Sequence, residues 1–439
     1  MALPIGIAIL IPQLNIFTNT VFLGNYTPSN LMFDKQEYLG AMGIAGIFYL
    51  MLCMVGYGLN AGVLMLMSRY AGKNDTQMIG KLFSNSFLLS LLMSAVLIWV
   101  SWYLAPIFFK HAIKNEKIVE ACVGFIYYRL WGLPFVLIYQ LCNSFFIAMN
   151  QSKKIIWGSA IQTFFNIVLD ALLIFGLYGF AEMGLNGSAL ASVISEAMFM
   201  ITNMFLLYKY GYISACSITF FKKFDKKIVG EIFLKSSPLI MQYFLSIAAW
   251  EIFFIMVEHL GKVQSASSQL LRTVFGLIGI AAWALGSTAN TMVSNLIGQQ
   301  KYEEVIILIK RIVALSVGIA FVLGFPILLF PKQFLSMLTS DIEIVQMGAD
   351  ALQIVVVAIW ILSVSTVLFH AVLGVGNTRM NLYMEFIAII LYLSYTYYFI
   401  EIKKNELAIA WMAEWMYWGS MLLMSMWYFK TGRWKKHVL

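Results

Sequence analysis

Long apolar stretches alternate with short polar segments along almost all of the 439 residues. A helix needs about 20 consecutive, mostly apolar residues to cross a bilayer, and most of these stretches are at least that long. The pattern therefore predicts an all-α integral membrane protein with twelve transmembrane helices. The predicted spans are residues 3–24, 39–68, 83–109, 119–149, 155–177, 184–208, 238–260, 264–298, 308–330, 345–375, 380–402 and 408–429.

The basic residues lie unevenly on the two sides of these spans. Of the 29 Lys and Arg residues, 19 follow an even-numbered span, and 8 lie in the loops on the opposite side. Cytoplasmic loops carry the excess of Lys and Arg in membrane proteins. We therefore expect both termini and the long segment between the sixth and seventh spans to be cytoplasmic. In a bacterium this places the protein in the inner membrane.

Three separated places in the chain match at a single offset of 226 residues. Pro12 matches Pro238, Gly72 matches Gly298, and Lys153 corresponds to Arg379. Internal repeats are typical of transporters, whose substrate site lies between the repeats. Six spans is an even number, so the two halves run parallel. The predicted domains are an N-lobe (1–208), a cytoplasmic linker (209–237), a C-lobe (238–429) and a basic tail (430–439).

Composition narrows the function. The chain is 61% hydrophobic and 11% charged, with a mean hydropathy of +0.82, whereas soluble domains are about 45–50% apolar and about 25% charged. The net charge of +8 is explained by basic cytoplasmic loops, so we expect no nucleic-acid partner. The sequence contains no GxxxxGK[ST] motif, which disfavours an ATP-driven pump. The cysteines have no metal-ligand spacing, and no nucleophile or metal cluster of an enzyme is visible.

Ionisable residues inside predicted spans are rare in membrane proteins and are functional candidates by default. The candidates are Arg129, Asp170, Glu196, Glu251, Arg272, Glu385 and Glu414. In the fifth span, Thr163, Asn166 and Asp170 are spaced to share one helix face. One carboxylate and two neutral oxygens suit a proton or a small hard cation. A polar seam that only holds helices together explains this face equally well.

The seventh span places Glu251 among aromatic residues. Low dielectric favours the neutral form of an acid, so Glu251 is a candidate for proton exchange with an aqueous cavity; a permanent ion pair with Arg272 is the alternative. Glu385 lies either at the cytoplasmic mouth of a cavity or in a structural role, and for Glu414 we expect pairing with Arg129 or Arg272. The predicted substrate cavity, suited to flat cationic or amphipathic compounds, consists of Tyr243, Phe244, Trp250, Phe254, Arg272 and Glu385.

Several stretches carry a family resemblance. They are "NIVLDALLIFG" and "GLNGSALASVISE" in the fifth and sixth spans, "SRYAGKND" and "SNLIGQQK" after the second and eighth, and "AAWEIFFIMVEHLG" in the seventh. With them the chain resembles the multidrug and toxic compound extrusion (MATE) transporters, in the style of members from Bacteroidetes. The resemblance implies two six-helix lobes around a cleft, a monomer among membrane lipids, and antiport of small organic cations against protons or sodium. A lipid-linked oligosaccharide flippase of the same superfamily is the alternative.

The resemblance also implies site residues. The N-lobe cation site corresponds to Asn166, Asp170 and Ser192, but the first span reads "TNTVFLG", with Asn19 where relatives carry an Asp. Losing one carboxylate should lower the affinity of this site for sodium. We therefore expect a proton to be favoured here, with sodium at Asp170 and Asn166 as the alternative. In the C-lobe, Glu251 stands ten residues before a glycine, as in many members. We therefore predict Glu251 as the coupling acid, a proton rather than sodium as the coupling ion, and no other cofactor.

Overall fold

The computed structural model describes residues 2–7, 11, 22, 35–113, 115–220, 225–339, 341–404, 406–432 and 434–435. These residues form helices joined by short connections and contain no strand. Most of the predicted first span, including Asn19, lies outside the described residues. Ten of the described helical segments are long and apolar enough to cross a membrane.

The helices follow one another along the chain with few long connections. The α-helices are α1 (Lys35–Gly72), α2 (Thr76–Ala112), α3 (Glu116–Arg129), α4 (Leu133–Ala148), α5 (Ile155–Phe175), α6 (Gly184–Lys209), α7 (Tyr212–Ala215), α8 (Lys226–Glu258), α9 (Lys262–Gly298), α10 (Glu304–Leu329), α11 (Pro331–Ser336), α12 (Ile342–Val375), α13 (Thr378–Thr396), α14 (Leu407–Trp411) and α15 (Ala413–Lys430). Short 3-10 helices span Leu130–Gly132, Ser152–Lys154 and Leu177–Gly179, and Tyr397–Ile402 forms a π-helix.

Short polar side chains begin several of these helices. The Asp75 carboxylate accepts a hydrogen bond from the Met78 amide at the start of α2, and Asn377 accepts one from the Met380 amide at the start of α13. Such caps satisfy backbone donors that have no partner within the helix. α2 and α13 therefore begin where the sequence places a capping side chain, whereas α5, α6, α9 and α10 begin without a side-chain cap.

Two predicted spans are interrupted. The fourth span is split into α3 and α4 by the 3-10 turn Leu130–Gly132, and Pro134 lies in the first turn of α4. A proline has no N–H to donate and crowds the preceding turn, which explains the break. The twelfth span is split between α14 and α15 at Met412, and nothing in the structure explains that break.

The chain divides into two compact units. One comprises Leu3–Met67 and Asp75–Leu234, and the other comprises Ser68–Asn74 and Lys235–Leu439. Large side chains such as Phe109, Phe125 and Leu137 fill the core of the first unit. In the second unit the core is built around Phe253 and Trp411. Each unit therefore has an apolar core of its own.

The segment predicted as a linker, 209–237, packs against α2 in the first unit. The Thr219 amide donates to the Ser84 hydroxyl at 3.0 Å, and the Asp225 amide donates to the Asn85 side-chain oxygen at 2.9 Å. Its last residues belong to α8. The domain boundaries drawn from the sequence remain a prediction.

Candidate functional site

The polar face of α5 meets α6 in the first unit. Asp170 is fully buried and shares a hydrogen bond with Ser188. One turn away, the Asn166 amide donates to the Ser192 hydroxyl at 3.4 Å, and the Thr163 hydroxyl donates to the Ile11 carbonyl at 3.3 Å. The α5–α6 packing thus brings three predicted residues, Asn166, Asp170 and Ser192, to one oxygen-rich place.

A second polar cluster in the first unit joins α1, α3 and α6. Arg129 Nη2 donates to Glu196 Oε1 at 2.9 Å, and the Tyr49 hydroxyl donates to Glu196 Oε2 at 3.1 Å. The guanidinium also lies 3.9 Å from the centroid of the Tyr49 ring. The expectation that Arg129 or Arg272 pairs with Glu414 is wrong. The sequence identified Arg129 and Glu196 as buried charges but did not identify them as partners.

In the second unit, Glu251 of α8 faces Arg272 of α9. Glu251 Oε1 lies 3.5 Å from Arg272 Nη2, and the two side chains are 17% and 26% exposed. The guanidinium lies 4.6 Å from the Trp250 ring centroid and 4.9 Å from that of Phe254. Charge-assisted hydrogen bonds between such groups are normally about 2.7–2.9 Å long. The pair that the sequence left as an alternative is therefore present, but it is long and partly exposed.

Two more acids of the second unit are bonded by neutral groups. Glu385 of α13 accepts hydrogen bonds from the Ser246 and Tyr417 hydroxyls. Glu414 of α15 accepts one from the Tyr392 hydroxyl at 3.2 Å and one from the Trp418 indole at 2.9 Å. Both acids are buried in the helix packing.

The aromatic residues predicted to line a substrate cavity differ in their surroundings. Phe254 is buried, and its ring centroid lies 5.4 Å from that of Phe253 and 6.1 Å from that of Trp411. Phe244 is exposed, while Tyr243 and Trp250 are half-buried. Phe254 therefore belongs to the core of the second unit, with one side toward Arg272. The cavity itself remains a prediction.

The sequence matches known proteins along most of its length. The family model MatE matches residues 5–172 and 238–398. Among curated relatives, "Multidrug resistance protein NorM" of Photobacterium profundum is 22% identical over 68% of this chain and 64% of its own length. "Probable multidrug resistance protein YoeA" of Bacillus subtilis is 21% identical over 71% of this chain and 69% of its own length. These alignments thus span about two thirds of each relative.

Solved structures share the fold. "Crystal structure of MATE in complex with MaL6" has a TM-score of 0.85 and 16% identity, and the match covers 99% of this chain and 94% of that chain. "Outward-facing conformation of a multidrug resistance MATE family transporter of the MOP superfamily" has a TM-score of 0.84 and 15% identity, with the same coverage. The prediction of an all-α, twelve-helix membrane fold is confirmed. The chain belongs to the MatE family, the multidrug and toxic compound extrusion transporters, and is a multi-pass membrane transporter rather than an enzyme.

Proposed function

We propose that this protein exports organic cations or amphipathic drugs across the bacterial inner membrane in exchange for protons, and that Glu251 carries the proton. The observation that carries the proposal is the long Glu251–Arg272 pair, partly exposed and bordered by the rings of Trp250 and Phe254. The names of the curated relatives, which are multidrug resistance proteins, support the substrate class. In this proposal the protein is a monomer with both termini in the cytoplasm.

The pair provides a physical reason for exchange. When Glu251 takes up a proton, the charge of Arg272 is no longer neutralised, and it repels a cationic substrate. When Glu251 loses the proton, its charge again attracts cations, and a substrate cation can replace the guanidinium over the two rings. The proton and the substrate therefore compete, and this differential affinity is what coupling requires.

We assign Asp170, Asn166 and Ser192 a secondary role in the first unit. A single buried carboxyl with neutral oxygens around it can hold one proton, and sodium at Asp170 and Asn166 is the alternative. Asn19, which the sequence adds to this set, lies outside the described residues. The tight packing of α5 against α6 also gives these residues a role in stability.

The flippase alternative is less well supported. A lipid-linked saccharide carries phosphate, which is recognised by basic side chains that are free to bind it. Two arginines within the predicted spans, Arg129 and Arg272, each face a carboxylate. A substrate cation fits this charge distribution better than a phosphate does.

Efflux of ethidium from proteoliposomes tests the proposal. The native chain is compared with Glu251→Gln and with Glu258→Gln, a matched control at the exposed end of the same helix. An imposed pH gradient should drive efflux by the native chain and the control, and Glu251→Gln should abolish it. Unchanged efflux in Glu251→Gln would make Glu251 structural and transfer the role to Asp170.

Two further arms address the ion and the substrate class. A sodium gradient alone should drive no efflux; efflux under that gradient would overturn the choice of the proton. Translocation of a lipid-linked saccharide without dye efflux under either gradient would favour the flippase.

A further inference from the structure

Several buried side-chain oxygens of the second unit have no hydrogen-bond donor among the described residues, and three of them lie within one helical turn of the Ser246–Glu385 hydrogen bond. These three are Gln242 Oε1, Asn381 Oδ1 and Glu385 Oε2. Gln242 is 6% exposed, and Asn381 and Glu385 are 0% exposed. Buried polar atoms in folded proteins are nearly always paired, so three unpaired acceptors in one region need an explanation.

The packing of α8 and α13 places these residues side by side. Lys235 Nζ, in the third turn of α8, donates at 2.9 Å to the carbonyl of Gly376, just before the start of α13. Further along, Ser246 donates to Glu385, and the rings of Phe253 and Tyr392 lie 5.8 Å apart. The two helices therefore run parallel, and the residue numbers of contacting residues on α8 and α13 differ by a nearly constant amount.

This register sets Gln242 level with Asn381. Gln242 lies one turn before Ser246 on α8, and Asn381 lies one turn before Glu385 on α13, so each pair shares a helix face. Ser246 and Glu385 are already hydrogen-bonded. The four residues therefore occupy two successive levels along the packed helices, and the Ser246–Glu385 hydrogen bond marks one of these levels.

The available donors are used elsewhere. The Ser246 and Tyr417 hydroxyls both bond to Oε1 of Glu385, and the Asn381 amide donates to the Phe369 carbonyl at 2.9 Å. Tyr243 is the other titratable group whose charge interacts with Glu385. Arg272 faces Glu251, and the Lys235 ammonium bonds near Gly376, two turns away from Gln242. Among the described residues, the groups around Glu385 therefore supply no donor to the three acceptors.

We propose that Gln242, Asn381, Glu385 and Ser246 bind one sodium ion. Carboxylate and amide oxygens are ligands that hard cations prefer. A proton on Glu385 can donate to only one of the two amide oxygens, whereas a metal ion contacts both and the carboxylate together. One carboxylate is neutralised by one monovalent charge, which favours sodium over a divalent ion.

This site includes neither Glu251 nor Asp170. Sodium binding to it can therefore be measured directly on the purified protein, without any transport assay. Binding of radioactive sodium is measured on the purified full chain in detergent at alkaline pH, with choline as the competing salt. The background is Asp170→Asn, which removes the carboxylate of the first unit. Glu385→Gln and Gln242→Met are compared in it, with Glu414→Gln as the control because Glu414 is another buried acid of the same unit.

The background and the Glu414→Gln control should each bind about one sodium ion per chain, since both retain the four ligands. Glu385→Gln and Gln242→Met should each weaken binding by about tenfold or more, as loss of a supporting group typically does at metal sites. Gln242→Met keeps the carboxylate and its two hydroxyl donors, so it remains informative if Glu385→Gln does not fold. No saturable sodium binding in the background, or unchanged binding in Gln242→Met, would overturn the proposal.

Discussion

At the scale of single residues, two arginines of the predicted spans face carboxylates in different ways. Arg129 and Glu196 are 2.9 Å apart, and Tyr49 completes the hydrogen bonding of the carboxylate. Arg272 and Glu251 are 3.5 Å apart and more exposed. A tight buried pair resists changes of protonation, whereas a long exposed one can change its partner. We therefore assign a structural role to Arg129 and the exchange role to Glu251.

Glu196→Gln should destabilise the protein. The change preserves the shape of the side chain but leaves the buried Arg129 without a counter-charge, and breaking a buried pair in this way costs about 3–5 kcal/mol. The measurement is the thermal melting of the purified protein in detergent.

The control is the double variant Arg129→Met with Glu196→Leu. It should recover most of the lost stability, because apolar residues often replace a buried ion pair at little cost. If Glu196→Gln melts like the native chain, the pair does not stabilise the first unit.

The sequence predicted the residues of these pairs better than it predicted the partners. Glu251 and Arg272 are on consecutive helices, so their pairing could be anticipated as an alternative. Arg129 and Glu196 are 67 residues apart, and their meeting depends on how α3 packs against α6. That packing is set by many apolar side chains together and cannot be predicted from a local sequence pattern.

At the scale of helices, two glycines of the internal repeat meet in the second unit. A Cβ at Gly72 would lie 2.1 Å from the Asn295 carbonyl oxygen, and a Cβ at Gly298 would lie 2.0 Å from the Arg69 carbonyl oxygen. The Asn295 amide also donates to the Ser68 carbonyl at 3.4 Å. The last turns of α1 and α9 therefore approach so closely that a side chain at either glycine has no room.

Gly72→Ala should lower the melting temperature, because the added methyl group forces the two helix ends apart. Overpacking of this kind typically costs about 1–3 kcal/mol. Gly43→Ala in the same helix is the matched control, since no atom lies within 4 Å of the position of its Cβ. The control should melt at or slightly above the native temperature. Equal effects of the two changes would contradict the close approach.

The helix pattern shows where sequence reasoning succeeds and where it stops. Most spans follow from the length of the apolar stretches, and the break before α4 has a local signal in Pro134. The repeat identified Gly72 and Gly298 as equivalent positions. It could not reveal that the two glycines touch, because contact depends on where the helix ends lie in space.

At the scale of the whole molecule, the fold is largely predictable and the candidate site is only partly so. An all-helical membrane fold follows from apolar stretches that no soluble domain contains. The sodium site proposed around Glu385 does not follow from the sequence, because it depends on the register of α8 against α13 and on which oxygens lack a hydrogen-bond donor. From the sequence, Asn381 and Glu385 only share a helix face, and Gln242 gives no signal.

Competition between a proton and a substrate cation at Glu251 is the central claim for the whole transporter. Binding to the carboxylate form shifts the equilibrium away from the protonated form, so substrate binding should release protons. The affinity for the cation should also rise with pH, since the protonated form binds it less well. In Glu251→Gln the side chain at position 251 cannot titrate. Binding of the cation should then release no proton, and the affinity for the cation should not change with pH.

The most direct measurement is proton release on binding of tetraphenylphosphonium to the purified protein in weakly buffered detergent solution, followed with a pH indicator. The native chain and the Glu258→Gln control should release protons as the cation binds, and Glu251→Gln should bind it without release. Binding by the native chain without proton release, or equal release by Glu251→Gln, would contradict the role of Glu251.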